Sequence, residues 1–154
     1  KDLLEKIDHR KIIITENEPF NTHKQDDEEN KNSITSHPKF QTLIQKIEIF
    51  EKNHSFLRKN ITLDSLSKEF DTNRDYLSKL INELKGKNFT QYLNELRINY
   101  IVSELKTNEK MRKYTIAAIS EEIGFNNSET FTNAFKKITG TLPSYYIKLL
   151  NEEN

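Results

Sequence analysis

One apolar spacing occurs twice in this chain, and it limits the fold more than any other feature. Leu63, Leu66 and Phe70 are set at i, i+3 and i+7, and Ile116, Ile119 and Ile123 repeat that spacing further along. A polar turn and a second apolar set follow in each case: Leu77, Leu80, Ile81 and Leu84, then Phe131, Ala134, Phe135 and Ile138. Leu77 precedes Gly86 by nine residues, and Phe131 precedes Gly140 by nine. Stripes of this period are the inward faces of amphipathic helices. Two short helices separated by about three residues form a helix-turn-helix unit. The chain therefore carries that unit in duplicate, with a turn one residue longer in the second copy.

The polar residues between the stripes agree. Thr62, Asn73 and Asn127 stand where a side-chain oxygen would accept from the first free amides of a helix, and Gly86 supplies a positive-φ stop. Between the copies, residues 90–106 read as one longer helix. Its apolar positions (Tyr92, Leu93, Leu96, Tyr100, Ile101, Leu105) fill more than one stripe, which predicts packing against both units. Phe40, Leu43, Ile44, Ile47 and Phe50 mark a further helix before the first unit. Covering that unit's core is its simplest use, and holding a dimer is the alternative. Residues 108–114 read as a charged connector, and Pro143 opens a closing helical turn that reaches Leu149 and Leu150. The expected fold class is all-α: two helix-turn-helix subdomains (62–86 and 116–140) joined by a long linker helix, within a domain spanning 37–154.

Composition removes other classes. With no Cys there is no disulfide scaffold, thiol nucleophile or thiolate metal site. Three Gly in all argue against phosphate-cradling loops and against a β-sandwich. No apolar run approaches the roughly 18 residues needed to cross a bilayer, so a cytoplasmic protein is expected, free or as the cytoplasmic part of a membrane-tethered one. Net charge is zero but unevenly distributed. Residues 1–36 hold 6 Lys+Arg and 9 Asp+Glu, net −3, and residues 37–154 hold 18 and 15, net +3. The acidic run Asp26 to Glu29 lies in a stretch too polar to offset its ordering entropy, so 1–36 reads as an acidic, largely disordered linker or tether. The chain begins with Lys rather than Met, and a preceding sensor region is expected.

Residues 76–98, YLSKLINELKGKNFTQYLNELRI, and 116–146, IAAISEEIGFNNSETFTNAFKKITGTLPSYY, resemble the C-terminal DNA-binding domain of the AraC/XylS-type transcription regulators. The Ile-Gly-Phe turn, the Phe-Lys-Lys run and the Gly-x-x-Pro-Ser-x-Tyr run carry most of the likeness, which covers roughly residues 61–147. The resemblance implies two helix-turn-helix units docking into successive major-groove segments on one face of double-stranded DNA. It implies a bound regulator that contacts RNA polymerase.

Base reading needs outward side chains on a helix whose apolar face is held elsewhere. On the first recognition helix these are Arg74, Ser78 and Asn82 in one row, with Asp75 and Lys79 beside it. On the second they are Ser128, Glu129, Thr132 and Asn133. Arg and Lys suit guanine, Asn suits adenine, and Glu accepts from cytosine. Asp75 and Glu129 have a local reading as well, because an acid in a first turn favours the helix dipole. Phosphate contacts are expected from the helix starts at Thr62 and Ile116 and from Lys85, Lys87, Arg97, Lys136 and Lys137. A charge of +3 is low for a DNA-binding footprint, which predicts modest affinity for a single copy and stronger binding by dimers or at tandem sites.

No enzyme is expected. The histidines (His9, His23, His37, His54) fall outside both repeats without metal spacing, and no cofactor, metal or small-molecule site is expected. The rival reading is a helical protein-interaction module, with no salt-dependent DNA binding. A homodimer through the N-terminal or sensor region is a further expectation, and Asp26 to Glu29 folding back on the basic face is a third.

Overall fold

The structure, a computed structural model, describes residues 38–153; the acidic linker 1–36 lies outside the described residues. Seven α-helices and no strand occur among them. In order they are α1 (Pro38–Lys52), α2 (Leu63–Glu69), α3 (Arg74–Lys85), α4 (Phe89–Thr107), α5 (Ile116–Glu122), α6 (Ser128–Thr139) and α7 (Pro143–Glu153). Single 3-10 turns, Ser55–Leu57 and Met111–Lys113, precede α2 and α5.

Two apolar cores share α4. Phe89, Tyr92 and Leu93 from its first half pack with α1, α2 and α3 around Leu66, Leu77, Leu80 and Ile81. Ile98, Ile101, Val102 and Leu105 from its second half pack with α5, α6 and α7 around Ile119, Phe131, Phe135 and Tyr146. This division explains why α4 shows no single apolar stripe: its buried side rotates from one core to the other. Burying each such Leu, Ile or Phe stabilises by about 1.5–3 kcal/mol relative to exposure. The helix before the first unit covers that unit's core through Phe40, Leu43, Ile47 and Phe50. The closing segment is an 11-residue helix rather than one turn.

The two units turn in the same way. After α2, Asp71 N donates to Lys68 O (3.1 Å) and Thr72 N to Ser67 O (2.9 Å). After α5, Gly124 N donates to Glu121 O (3.1 Å) and Phe125 N to Ser120 O (3.0 Å). Both are Schellman stops, which require a left-handed residue just past the helix. Asp71 supplies it at φ 56° and Gly124 at φ 89°.

The charged connector after α4 conceals an anchor. Arg112 is buried and donates to Leu105 O (2.8 Å), an otherwise unpaired carbonyl at the end of α4, and to Asn151 Oδ1 (2.9 Å) on α7. It thereby ties the end of the linker helix to the last helix, which sequence alone did not reveal.

Candidate nucleic-acid interface

Caps and core positions set how α3 and α6 are turned. Asn73 Oδ1 accepts from Tyr76 N (3.0 Å) and Asn127 Oδ1 from Thr130 N (2.8 Å), so each helix starts where the sequence suggested. Leu77 and Leu80 on α3, and Phe131 and Phe135 on α6, are fully buried. With those residues inward, the opposite faces must meet solvent. Arg74, Asp75, Lys79 and Asn82 are exposed on α3, and Ser78 is half-buried. Ser128, Glu129 and Asn133 are exposed on α6, and Thr132 is half-buried.

A cleft of about 640 Å³ separates the two units, and both recognition helices border it. Arg74 and Ser78 line it from α3, Thr130 from α6, and Asn88, Thr90 and Asn94 from α4. Thr62 stands at the start of α2 on the same cleft, and no Asp or Glu lines it. Its lining is largely apolar, with Ile61, Leu63, Phe89, Leu93 and Phe125, and the hydroxyls, amides and one exposed guanidinium beside them carry no negative charge that would repel phosphate. Thr130, Asn88 and Asn94 were not among the sequence-derived candidates. Asn88 and Thr130 stand at helix starts, where Asn and Thr read at first as capping alone, whereas Asn94 within α4 carried no such signal.

The phosphate candidates divide. Lys136 and Lys137 are exposed in the last turn of α6. Thr62 uses its hydroxyl to accept from Ser65 N (3.0 Å) while its own amide donates to Ser65 Oγ (2.9 Å). Lys85 is ion-paired with Glu51 (3.0 Å), and Lys87 with Glu95. Arg97 is a correction. It is only 6% exposed, with Nε donating to Phe56 O (2.7 Å) and Nη2 to Arg58 O (2.8 Å). Its guanidinium lies over the Phe125 ring at 5.4 Å. Burial lowers its pKa to about 10, so it stays cationic at neutral pH. A guanidinium committed in this way is a structural group, not a phosphate contact.

Glu51 also links α1 to both neighbours. It accepts from the Tyr92 hydroxyl (2.6 Å) besides pairing with Lys85. Burial first, then the charge and hydrogen bond of Glu51, hold the Tyr92 phenol well above its usual range. Among the described residues no cluster of three or more His, Asp or Glu is arranged to hold a metal ion. None of the described helices is long and apolar enough to cross a membrane.

A family model described as a helix-turn-helix domain matches residues 66–148. The chain is 37% identical over 75 residues to YesN of Bacillus subtilis, an uncharacterised transcriptional regulatory protein, covering 48% of this chain and 20% of that protein. It is 30% identical over 108 residues to the TCP pilus virulence regulatory protein of Vibrio cholerae, covering 68% of this chain and 37% of that protein. The chain thus spans well under half the length of either relative. Among solved structures it is similar to the C-terminal domain of AraT, a response regulator from Geobacillus stearothermophilus. That match has a TM-score of 0.59 at 26% identity, over 73% of this chain and 86% of that one. The C-terminal domain of the two-component response regulator yesN from Fusobacterium nucleatum matches with a TM-score of 0.57 at 28% identity, over 70% and 97%.

Proposed function

The chain belongs to the AraC-type helix-turn-helix family, whose members here are transcription regulators rather than enzymes, and from that premise we propose a specific mode of DNA reading. Helices α3 and α6 enter two successive major-groove segments of one duplex, about one helical turn or 34 Å apart. Arg74, Asp75, Ser78, Lys79 and Asn82 read one segment; Ser128, Glu129, Thr132 and Asn133 read the other. Lys136, Lys137 and the helix start at Thr62 hold the backbone. Lys85 and Lys87 join them only by exchanging Glu51 and Glu95 for phosphate. The strand that crosses between the two segments passes the acid-free cleft.

One observation carries this proposal: residues of both recognition helices, Arg74 and Ser78 on α3 and Thr130 on α6, border a single cleft. That shared border supports docking both helices against a single duplex. The relatives YesN and AraT, respectively a regulatory protein and a response regulator, support placing this domain in a larger sensor-regulator. Contact with RNA polymerase would then pass the signal to transcription, and a homodimer would raise an affinity limited by the low net charge. Selection of binding sites from a random duplex pool tests the proposal. A bipartite motif is expected, with preference relaxed in one half by Lys79→Ala and in the other by Asn133→Ala. Retained duplex with no enriched motif would reduce the activity to non-specific binding.

A further inference from the structure

Each helix-turn-helix unit has its own core, so something must fix the angle between the units. A shared helix alone does this poorly, because each unit grips only half of α4. Arg97, near the middle of α4, lies at the seam. Its Nε and Nη2 donate to Phe56 O and Arg58 O, in the segment that leads from α1 into α2. Its guanidinium carbon lies over the Phe125 ring, 5.4 Å from the centroid, in the turn of the second unit. Gly124 presses on the same place: a Cβ there would stand 2.7 Å from Leu57 O, 2.8 Å from Arg58 O and 2.8 Å from Arg97 Nη2. Three segments distant in sequence therefore meet around one buried guanidinium. The Lys59–Glu121 pair (2.8 Å) crosses the seam outside it, but it is exposed and contributes little.

We propose that Arg97 is a positioning residue that sets the separation and angle of the two recognition helices, and through them the half-site spacing the domain accepts. The consequence for spacing rests on the two-groove reading above; the clamp itself does not. A guanidinium suits the role because its rigid planar fork holds two carbonyls and a ring face at once, whereas an ammonium has no planar face to lay on the ring. Arg97→Lys keeps a positive charge but loses the fork, leaving a carbonyl unpaired and the second unit free to rock.

The chain has no cysteine, so two can be introduced cleanly. Spin labels at Glu83→Cys and Lys137→Cys, exposed positions matched in the two repeats, report the distance between α3 and α6 without DNA. A narrow distribution is expected in the otherwise unchanged protein and a clearly broader or shifted one in Arg97→Lys, with helix content retained. Should Arg97→Lys fail to fold, Phe125→Leu removes the stacked ring but keeps an apolar side chain, and it should broaden the distribution in the same way. An unchanged distribution in the folded variant overturns the proposal. Binding without spin labels to duplexes with graded half-site spacing gives the second readout. The Arg97→Lys protein should lose about tenfold at the preferred spacing, equivalent to about 1.4 kcal/mol, and much less at neighbouring spacings. Uniform weakening at every spacing, with the salt slope reduced by about 0.9, would make Arg97 a phosphate contact and overturn the proposal. A narrow distance with no spacing preference in the parent protein would instead remove the two-groove reading and leave the clamp standing.

Discussion

The two helix-turn-helix units are built on the same backbone but are held and charged differently. Both begin on a capping Thr, turn through a Schellman stop and end the recognition helix on a left-handed Gly. The first unit is flanked by α1 and stabilised by a half-buried ionic network, Glu51 with Tyr92 and Lys85. The second is flanked by α7 and anchored by Arg112 on carbonyl and amide oxygens. The front of α3 offers Arg74, Asp75 and Lys79, whereas that of α6 offers Ser128, Glu129 and Asn133. Caps and apolar spacing thus fix the geometry, while the outward residues vary independently of it. The two recognition helices thus present different outward chemistry, with more charge on the first, from one shared geometry.

The largest expected difference is at the left-handed glycines. Gly124→Ala places a Cβ against two backbone carbonyls and should cost about 3 kcal/mol in urea unfolding. Gly86→Ala meets open space at φ 67° and should cost only about 1 kcal/mol. Equal costs would break the claim that the second turn is wedged against the first unit.

Next comes base reading. Arg74→Ala should lower affinity for a selected site by about 2 kcal/mol and relax one position of the motif. Ser128→Ala, its counterpart on α6, should cost under about 0.5 kcal/mol in the same titration. The reverse order would transfer discrimination to the second unit.

The ionic network gives the first unit a pH dependence. The Tyr92 phenol is held above its usual value in the folded chain, while an unfolded tyrosine ionises near 10. Below pH 10 both states keep the proton and the stabilisation is complete. As pH rises past 10 the unfolded chain loses the proton first, so stability falls. Tyr92→Phe should cost about 1.5 kcal/mol at pH 7, and its difference from the parent should shrink on the alkaline side. A constant difference to pH 11 or so in chemical denaturation would remove Tyr92 from the network. The smallest effect is at the seam's surface, where Lys59→Ala should change stability by under about 0.5 kcal/mol.

Much of the fold was legible because its determinants are local. The duplicated apolar period gave α2, α3, α5 and α6, and Thr62, Asn73 and Asn127 marked helix starts within one turn. The linker helix proved one residue longer at each end than 90–106. The outward residues of α3 and α6 followed from the inward ones by geometry. Arg97 and Arg112 were not legible as buried groups, because an arginine on a helix or in a charged connector reads as surface. The Arg97 contact with Phe56 spans 41 residues, and only tertiary packing brings those carbonyls to it. Asp71 likewise was not marked as left-handed by its own residue type, although Gly124 holds the matching position in the other repeat.

Hydroxyl-radical and methylation footprinting of the full chain on its selected duplex examines directly whether one molecule reads two grooves from one side. Two protected major-groove segments are expected on the same face, centred about 10–10.5 bp apart, with the second lost selectively when α6 is disrupted. A single protected segment, or two on opposite faces of the duplex, would contradict the account.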